Sequence, residues 1–137
     1  MAFSMIYTAN TSNMAFTTED GNYVQVPFGS VVRRKNCGIM LDGGSLVGMG
    51  GGYYDFDVSL TLTPAAIGPV KAQFFQDGVA IPGATATGYA AAAGNPLNIS
   101  FPAVARQCGR CCNTVFTLGI NASATVNNFV TKAKKTD

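Results

Sequence analysis

The sequence predicts an all-β domain, and three observations support that prediction. Residues 53–63 (YYDFDVSLTLT) alternate apolar and polar side chains, which is the period of a strand with one buried face. Asp77-Gly78 separates two apolar runs, and this dipeptide is typical of a two-residue hairpin turn because both residues tolerate positive φ. Other short apolar runs recur about every ten residues between turn residues, and no stretch has the 3.6-residue period of a helix. Together these patterns favour an antiparallel sandwich, barrel or jelly roll.

The first predicted strands are short. Residues 23–26 and 29–32 are apolar runs on either side of a proline, and residues 39–46 are predicted to be a short strand running into a turn. The stretch DGGSLVGMGGG spaces Gly43 and Gly48 as a phosphate-binding loop would, but it lacks the Lys and Ser or Thr that should follow. We therefore predict a glycine-rich turn ahead of the next strand.

The later strands are longer and supply most of the predicted core. Residues 53–63 place five large side chains on one face: Tyr54, Phe56, Val58, Leu60 and Leu62. The Asp-Gly turn joins residues 70–76 to 79–81. Further strands are predicted at residues 85–91, 97–104, 113–120 and 124–133, and the last returns Phe129 to the core.

Composition limits the partners that the chain can have. Its 137 residues are enough for one domain with its own core. Charged residues make up 12% and hydrophobic residues 47%, which predicts a surface of uncharged polar groups or one that is partly covered by other subunits. A net charge of +2 is too small to predict nucleic-acid binding. The basic runs at residues 33–35 and 132–135 are interpreted as solvated strand ends or as charges that block unwanted pairing at a sheet edge. Contact with an acidic partner is the alternative.

Two absences in the sequence bear on localisation. No run approaches the ~18 apolar residues of a membrane helix, so no membrane partner is predicted. The first residues, MAFSMIYTANTSNM, have neither the charges nor the apolar core of a signal peptide. The expectation is a protein that is made in a cytoplasm and is not exported through a secretory channel.

The residues available for catalysis argue against an enzyme. The sequence contains no histidine, which excludes Ser-His-Asp and Cys-His catalysis. Asp55 and Asp57 lie on one strand face about 7 Å apart. This separation is similar to that between the two catalytic carboxylates of glycosidases. Acidic residues on an exposed strand face are more often solubilising, so we predict no catalytic residues, no cofactor and no metal.

The cysteines are the remaining candidate for chemistry. Cys108, Cys111 and Cys112 lie in the run RQCGRCC, and Cys37 lies far upstream. The C-x-x-C spacing is half of a zinc site, but the second half is absent. Free thiols, disulfides within or between chains, and a metal site all remain open, in that order of preference. A bond between Cys111 and Cys112 would be strained, so Cys37 with one of the other three is the favoured intrachain pair.

Several segments together resemble a known family of trimeric heads. GGYYDFDVSLTLT, PVKAQFFQDGVAIPGA, NPLNISF and NTVFTLGINASATVNNFVTKAKK resemble, in that order, the jelly-roll heads of the tumour necrosis factor and complement-head superfamily, particularly the bacterial spore-surface and phage versions. The resemblance covers about residues 38–135 and rests on Gly52-Tyr53, the Asp-Gly turn, residues 79–83 and residues 121–126.

The resemblance implies an antiparallel jelly-roll sandwich of the tumour necrosis factor-like type that assembles as a homotrimer. Because a collagen stalk and an export signal are missing, it implies a virion component: a phage capsid decoration or head-fibre protein that attaches to a capsid or other virion protein and mediates adhesion. The alternative is a receptor- or carbohydrate-binding head on a phage tail or bacterial surface, whose partner is a host-surface glycan or receptor.

The segment ahead of the resemblance is predicted to be separate from the head. Residues 1–35 are interpreted as an N-terminal arm followed by a strand that leads into the head domain, residues 36–137. The arm contains apolar side chains outside the periodic pattern, namely Phe3, Met5, Ile6 and Tyr7. Uncovered apolar side chains usually have a partner, so the arm is expected to dock on a capsid or to join a neighbouring subunit.

Overall fold

The computed structural model describes residues 3–19, 22–107 and 113–136. Within these ranges the chain forms twelve strands and no α-helix, so no helix there is long and apolar enough to cross a membrane. The strands, in chain order, are β1 (Phe3–Asn10), β2 (Met14–Phe16), β3 (Val24–Val26), β4 (Ser30–Lys35), β5 (Ile39–Asp42), β6 (Ser45–Gly48), β7 (Gly52–Pro64), β8 (Gly68–Gln76), β9 (Val79–Ala90), β10 (Leu97–Gln107), β11 (Thr114–Ile120) and β12 (Ala124–Thr136).

The strands form two antiparallel sheets. The first sheet has the order β10-β7-β12-β1-β4, with β2 also paired to β12. The second has the order β5-β6-β11-β8-β9, with β3 also paired to β11. Strands from both ends of the chain pair in the first sheet, where Phe3 lies opposite Thr136. The two sheets therefore exchange strands along the sequence, as a jelly roll does.

The core lies between the two sheets and is rich in aromatic rings. Phe56 of β7 contacts Phe74 and Phe116 of the second sheet, with ring centroids 4.7 and 4.6 Å apart. The ring of Phe129 lies 5.0 Å from that of Phe28. The predicted inner face of β7 is confirmed, because its five large side chains are all buried and its alternate residues are more exposed. The predicted return of Phe129 to the core is confirmed too.

The predicted hairpin turn is also confirmed. Asp77 and Gly78 connect β8 to β9 with φ values of 51° and 81°, the left-handed conformation that a type I′ turn requires. The Asp77 carboxylate accepts hydrogen bonds from Thr114 Oγ1 at 2.7 Å and from the Val115 backbone N–H at 2.8 Å. This side chain therefore fixes the turn against the neighbouring strand β11.

Strand β9 contains a large bulge held by one buried amide. Gln73 pairs with Thr85 and Phe75 pairs with Ala80, so residues 81–84 all lie opposite residue 74. The buried Gln73 Nε2 lies 3.0 Å from the carbonyl oxygens of residues 74 and 81 and 3.2 Å from that of Ala84. The side-chain amide thus replaces the ladder hydrogen bonds that the bulge interrupts.

Three of the predicted strand boundaries need correction. Residues 39–46 are not one strand running into a turn, because they span β5, its turn and the start of β6, which together form a hairpin. Residues 85–91 are not a separate strand either, since β9 runs on from Val79 across the bulge. Strand β10 extends beyond residue 104 to Gln107, and the short strand β2 was not predicted.

The interpretation of the N-terminal segment as an arm outside the periodic core is wrong. Strand β1 lies within the first sheet, between β12 and β4, and Ile6 is fully buried. Strands β3 and β4, which also precede residue 36, belong to the second and first sheets. The boundary at residue 35 therefore does not separate an arm from a head. The misreading arose because β1 is apolar on both faces, which hides its period.

Candidate assembly surface

The outer face of the first sheet consists of the outward side chains of β10, β7, β12, β1 and β4. Strand register arranges them in rows that cross the sheet. One row contains Val104, Asp55, Lys134, Met5 and Lys35, and the next contains Pro102, Asp57, Lys132, Tyr7 and Arg33. Along these two rows the face changes from neutral at β10 to mixed charge at β7 and β12, and then to basic at β4. Arg106 of β10 lies one row further, opposite Tyr53.

A shallow depression of about 510 Å³ lies across β10, β7 and β12 on this face. Its lining combines apolar, hydroxyl and charged groups: Asp57, Val58, Ser59, Ser100, Phe101, Pro102, Val130 and Lys132. Ser100 Oγ lies 3.5 Å from Ser59 Oγ and 3.0 Å from Asn98 Oδ1. A surface of this composition can pack against another protein surface or bind a hydroxyl-rich ligand.

The two carboxylates singled out in the sequence are exposed on this face. The register places Lys134 opposite Asp55 and Lys132 opposite Asp57, at the close distance of a cross-strand pair. Asp57 lines the depression, whereas Asp55 does not. The two carboxylates do not face each other across a cleft, so the arrangement offers no acid and base pair for glycoside hydrolysis.

The four residues predicted to dock are divided between two environments. Phe3, Met5 and Tyr7 belong to the outer face and are partly exposed, whereas Ile6 points into the core. Lys35 Nζ and Lys134 Nζ lie 4.1 and 4.8 Å from the centroid of the Phe3 ring. Both lysines also lie opposite Met5 in the strand register. A docking role for the three outward residues stays a prediction.

The predicted thiol cluster is only partly described by the structure. Cys37 is exposed in the turn between β4 and β5, while Cys108, Cys111 and Cys112 lie outside the described residues. Among the residues that are described, no three His, Cys, Asp or Glu side chains come together as metal ligands would. The pairing of these cysteines stays a prediction.

A second groove, of about 270 Å³, lies where the edges of the two sheets meet. Its lining comes from the start of β9 and the end of β10: Gln76, Val79, Ala80, Ile81, Pro82, Val104, Ala105 and Arg106. Val79 is 69% exposed and Val104 is 59% exposed. The sequence did not predict this groove, because its lining residues are far apart in the chain. Val79 and Val104 also look like ordinary strand residues, so nothing in the sequence marks them as exposed.

Sequence reasoning also missed that the two basic runs meet in space. Strand β1 pairs with residues 33–35 along one edge and with residues 132–135 along the other. No local pattern could have revealed this, since the pairing depends on the assignment of β1 to the first sheet. The outward cations of the two runs, Arg33, Lys35, Lys132 and Lys134, therefore form one continuous surface with Phe3, Met5 and Tyr7.

Comparisons with known proteins identify the fold. No protein-family model and no curated protein sequence matches the chain. Solved structures do match it, and they show that the chain has the jelly-roll fold of tumour necrosis factor-like proteins.

Three of these structures illustrate the range of proteins with this fold. Murine APRIL is 13% identical with a TM-score of 0.66, over 97% of this chain and 99% of the other. Eiger TNF from S. frugiperda is 9% identical with a TM-score of 0.68, over 98% and 92%. The vertex protein P5 of phage PRD1 is 9% identical with a TM-score of 0.60, over 96% of this chain and 72% of the other. At these identities the likeness concerns the fold alone.

Proposed function

We propose that this chain is a non-enzymatic structural protein of a phage virion, a capsid decoration or head-fibre protein. The observation that supports this best is the likeness to a phage vertex protein over almost the whole chain. The outer face of the first sheet adds support, because it offers an extended contact surface without a catalytic arrangement among its described residues. The role of the protein would be to attach to the particle and to present a compact domain there.

The proposed assembly is a homotrimer in which the subunits contact one another through the outer face of the first sheet. Val104 and Tyr53 are exposed on this face, and Val130 is partly exposed beside the depression. Apolar side chains grouped on one face of a small domain favour contact with other subunits. The low content of charged residues, 12%, is consistent with a surface of which part is covered.

Light scattering on the purified chain tests this assembly. We expect the mass of a trimer at micromolar concentration, and a monomer for Ser100→Arg, because the substitution introduces a bulky charge into the depression without touching the core. Thr87→Arg is the matched control, since Thr87 is exposed on the second sheet, and it should remain a trimer. A monomeric wild-type chain would contradict the trimer.

Attachment to the particle is proposed to involve Phe3, Met5 and Tyr7. These side chains are partly exposed on the outer face at the end where the two basic runs meet. Met5→Ser combined with Tyr7→Ser should leave the fold intact and abolish co-sedimentation with empty capsids of the phage. Retained co-sedimentation would exclude these residues as the attachment site.

A second candidate function is binding of a receptor or a host-surface glycan. It is favoured by Tyr89 and Ile67, each 65% exposed, which lie close together because β8 begins one residue after Ile67 and pairs Pro69 with Tyr89. An exposed aromatic ring beside an apolar side chain is a common element of recognition surfaces. Binding of the wild-type chain to host cell walls, lost in Tyr89→Ser, would support this function over capsid attachment.

A further inference from the structure

Six of the nine lysines and arginines in the chain meet at one end of the first sheet. Residues 33–35 of β4 and the three lysines of β12 lie on either side of β1. Tyr7 pairs with Arg33 and Lys132, and Met5 pairs with Lys35 and Lys134. Four of these cations, Arg33, Lys35, Lys132 and Lys134, form a basic patch on the outer face beside the β4 edge, while Arg34 and Lys135 lie on the opposite face.

Strand β4 is also a free edge. It is the last strand of the first sheet and pairs with β1 alone among the described residues, and all six of its side chains are exposed. The register with β1 shifts between Tyr7 and Thr8, which leaves residue 32 as a bulge. Beyond the bulge, Arg33, Arg34 and Lys35 form the regular part of the edge, with one set of backbone N–H and C=O groups unpaired.

The positive charge of β4 is not neutralised by the described residues of the sheet. Among them, the nearest carboxylates in the strand register are Asp55 and Asp57 on β7, which lie opposite Lys134 and Lys132 of β12 and are three strands away from β4. At about 4.8 Å per strand the separation is about 14 Å, which exceeds the Debye length of about 8 Å at physiological ionic strength. Among the described residues, Arg34 and Lys35 form no ion pair.

We propose that the free edge of β4 binds an acidic protein segment in an extended conformation. Such a segment would add a strand beside β4 and pair with its open backbone groups. Its consecutive carboxylates would lie opposite Arg33, Arg34 and Lys35, within the range of cross-strand ion pairs. Three consecutive cations alternate between the two faces of the strand, so a run of adjacent acidic residues matches them on both faces.

An acidic strand fits this site better than a nucleic acid does. The edge offers paired hydrogen-bond donors and acceptors at strand spacing, which a second backbone can satisfy and a phosphate chain cannot. Of the outward rings on β1, Phe3 already has Lys35 and Lys134 against it, which leaves Tyr7 beside Arg33. A single ring on this strand does not provide the series of rings on which successive bases stack. The inference goes beyond the proposed function, because it concerns the edge of β4 and not the depression across β10, β7 and β12.

Fluorescence anisotropy with a labelled peptide tests the proposal on the full chain. The probe is the heptapeptide Thr-Val-Glu-Glu-Glu-Val-Thr, and the same peptide with Lys in place of Glu is its control. Two further probes are N-methylated on alternate residues, one on the odd and one on the even positions. Strand addition uses the N–H groups along one edge of the peptide, so one methylated probe should bind like the parent and the other should lose binding.

Charge-reversal variants locate the site. Arg34→Glu should weaken binding of the acidic peptide about fivefold to tenfold, because a favourable cross-strand pair becomes a repulsive one. Lys71→Glu, on β8 of the second sheet, is the matched control and should leave binding unchanged. Circular dichroism would check that both variants are folded.

Three results would overturn the proposal. Equal binding of the two methylated probes would mean attraction by charge alone. Binding of a single-stranded oligonucleotide or a sulfated polysaccharide as tightly as the peptide would assign the surface to polyanions in general. If no probe binds, the cations instead serve to prevent other strands from pairing with this edge.

Discussion

Thr8 and Thr131 lie directly opposite each other across the β1 and β12 ladder, and both face the core. Both are buried, and neither hydroxyl has a hydrogen-bond partner among the described residues. A buried polar group without a partner costs about 1–3 kcal/mol. The pair is therefore a local source of instability in an otherwise apolar core.

Replacing both threonines with valine should stabilise the protein. Thr8→Val combined with Thr131→Val removes two unpaired hydroxyls and keeps the shape of both side chains, so we expect a gain of about 1–2 kcal/mol in the free energy of unfolding. Thr114→Val is the control, because the buried Thr114 hydroxyl donates to Asp77 and its removal should destabilise. Urea unfolding measures both, and a destabilised double variant would indicate that the two hydroxyls bind an internal water.

Gln73 should contribute to stability through the bulge in β9. Gln73→Leu keeps a side chain of similar size but leaves the carbonyls of residues 81 and 84 without their donor, so we expect a loss of about 2–3 kcal/mol. Gln25→Leu removes an exposed amide that bonds Ser45 and should change stability by less than about 0.5 kcal/mol. Similar losses for the two variants would mean that the bulge does not depend on Gln73.

Gly48 cannot accept a side chain without displacing Tyr54. A Cβ atom at residue 48 would lie 2.5 Å from Tyr54 Cε1 and 2.6 Å from Cζ, while the Tyr54 hydroxyl donates to the Gly50 carbonyl at 2.6 Å. Gly48→Ala should therefore cost about 1–3 kcal/mol as an overpacked core does, seen as a lower melting temperature. In Gly88→Ala the new atom would be 3.4 Å from its nearest neighbour, and a comparable loss there would refute the steric explanation.

The turn residue Asp77 should tolerate asparagine better than alanine. Asp77→Ala loses both acceptor oxygens and places a residue poorly suited to φ 51° at the turn, which should cost about 2–3 kcal/mol. Asp77→Asn keeps one acceptor oxygen and a residue that tolerates this φ, so its loss should be smaller. Denaturant midpoints for the two variants give the comparison, and equal losses would refute the advantage expected for asparagine.

Deleting residues 3–10 should unfold the protein. The deletion removes a strand that lies between β12 and β4 and takes the buried Ile6 and Thr8 out of the core. The expected result is loss of the cooperative thermal transition and of the near-ultraviolet circular dichroism signal. Shortening the chain by Met1 and Ala2 alone, ahead of β1, is the control and should leave the transition in place.

The elements that sequence predicts well are those fixed by local chemistry. The inner face of β7 follows from strict alternation between residues 54 and 62, and the turn at Asp77-Gly78 follows from tolerance of positive φ. Both predictions are confirmed. The all-β class follows from several such local patterns, whereas the jelly-roll type is implied by the resemblance of residues 38–135 to tumour necrosis factor-like heads.

The parts that sequence does not predict depend on distant pairing. Strand β1 has apolar side chains on both faces, with Met5 outward and Ile6 inward, so its period does not reveal a buried side. The basic surface at β4 exists only because β1 joins two runs that are remote in sequence. The support of the β9 bulge by Gln73 likewise requires knowledge of which carbonyls come together.

The position of β12 has a consequence for how the chain folds during synthesis. This strand lies between β7 and β1, yet it is the last of the twelve described strands to leave the ribosome. Until then β7 and β1 each expose an edge that has no partner, and unpaired edges of this kind promote aggregation of nascent chains. The many contacts between distant residues also predict slow folding after release. The first sheet is thus completed only after translation has passed β12, and the second sheet, whose strands are all made earlier, can form before it.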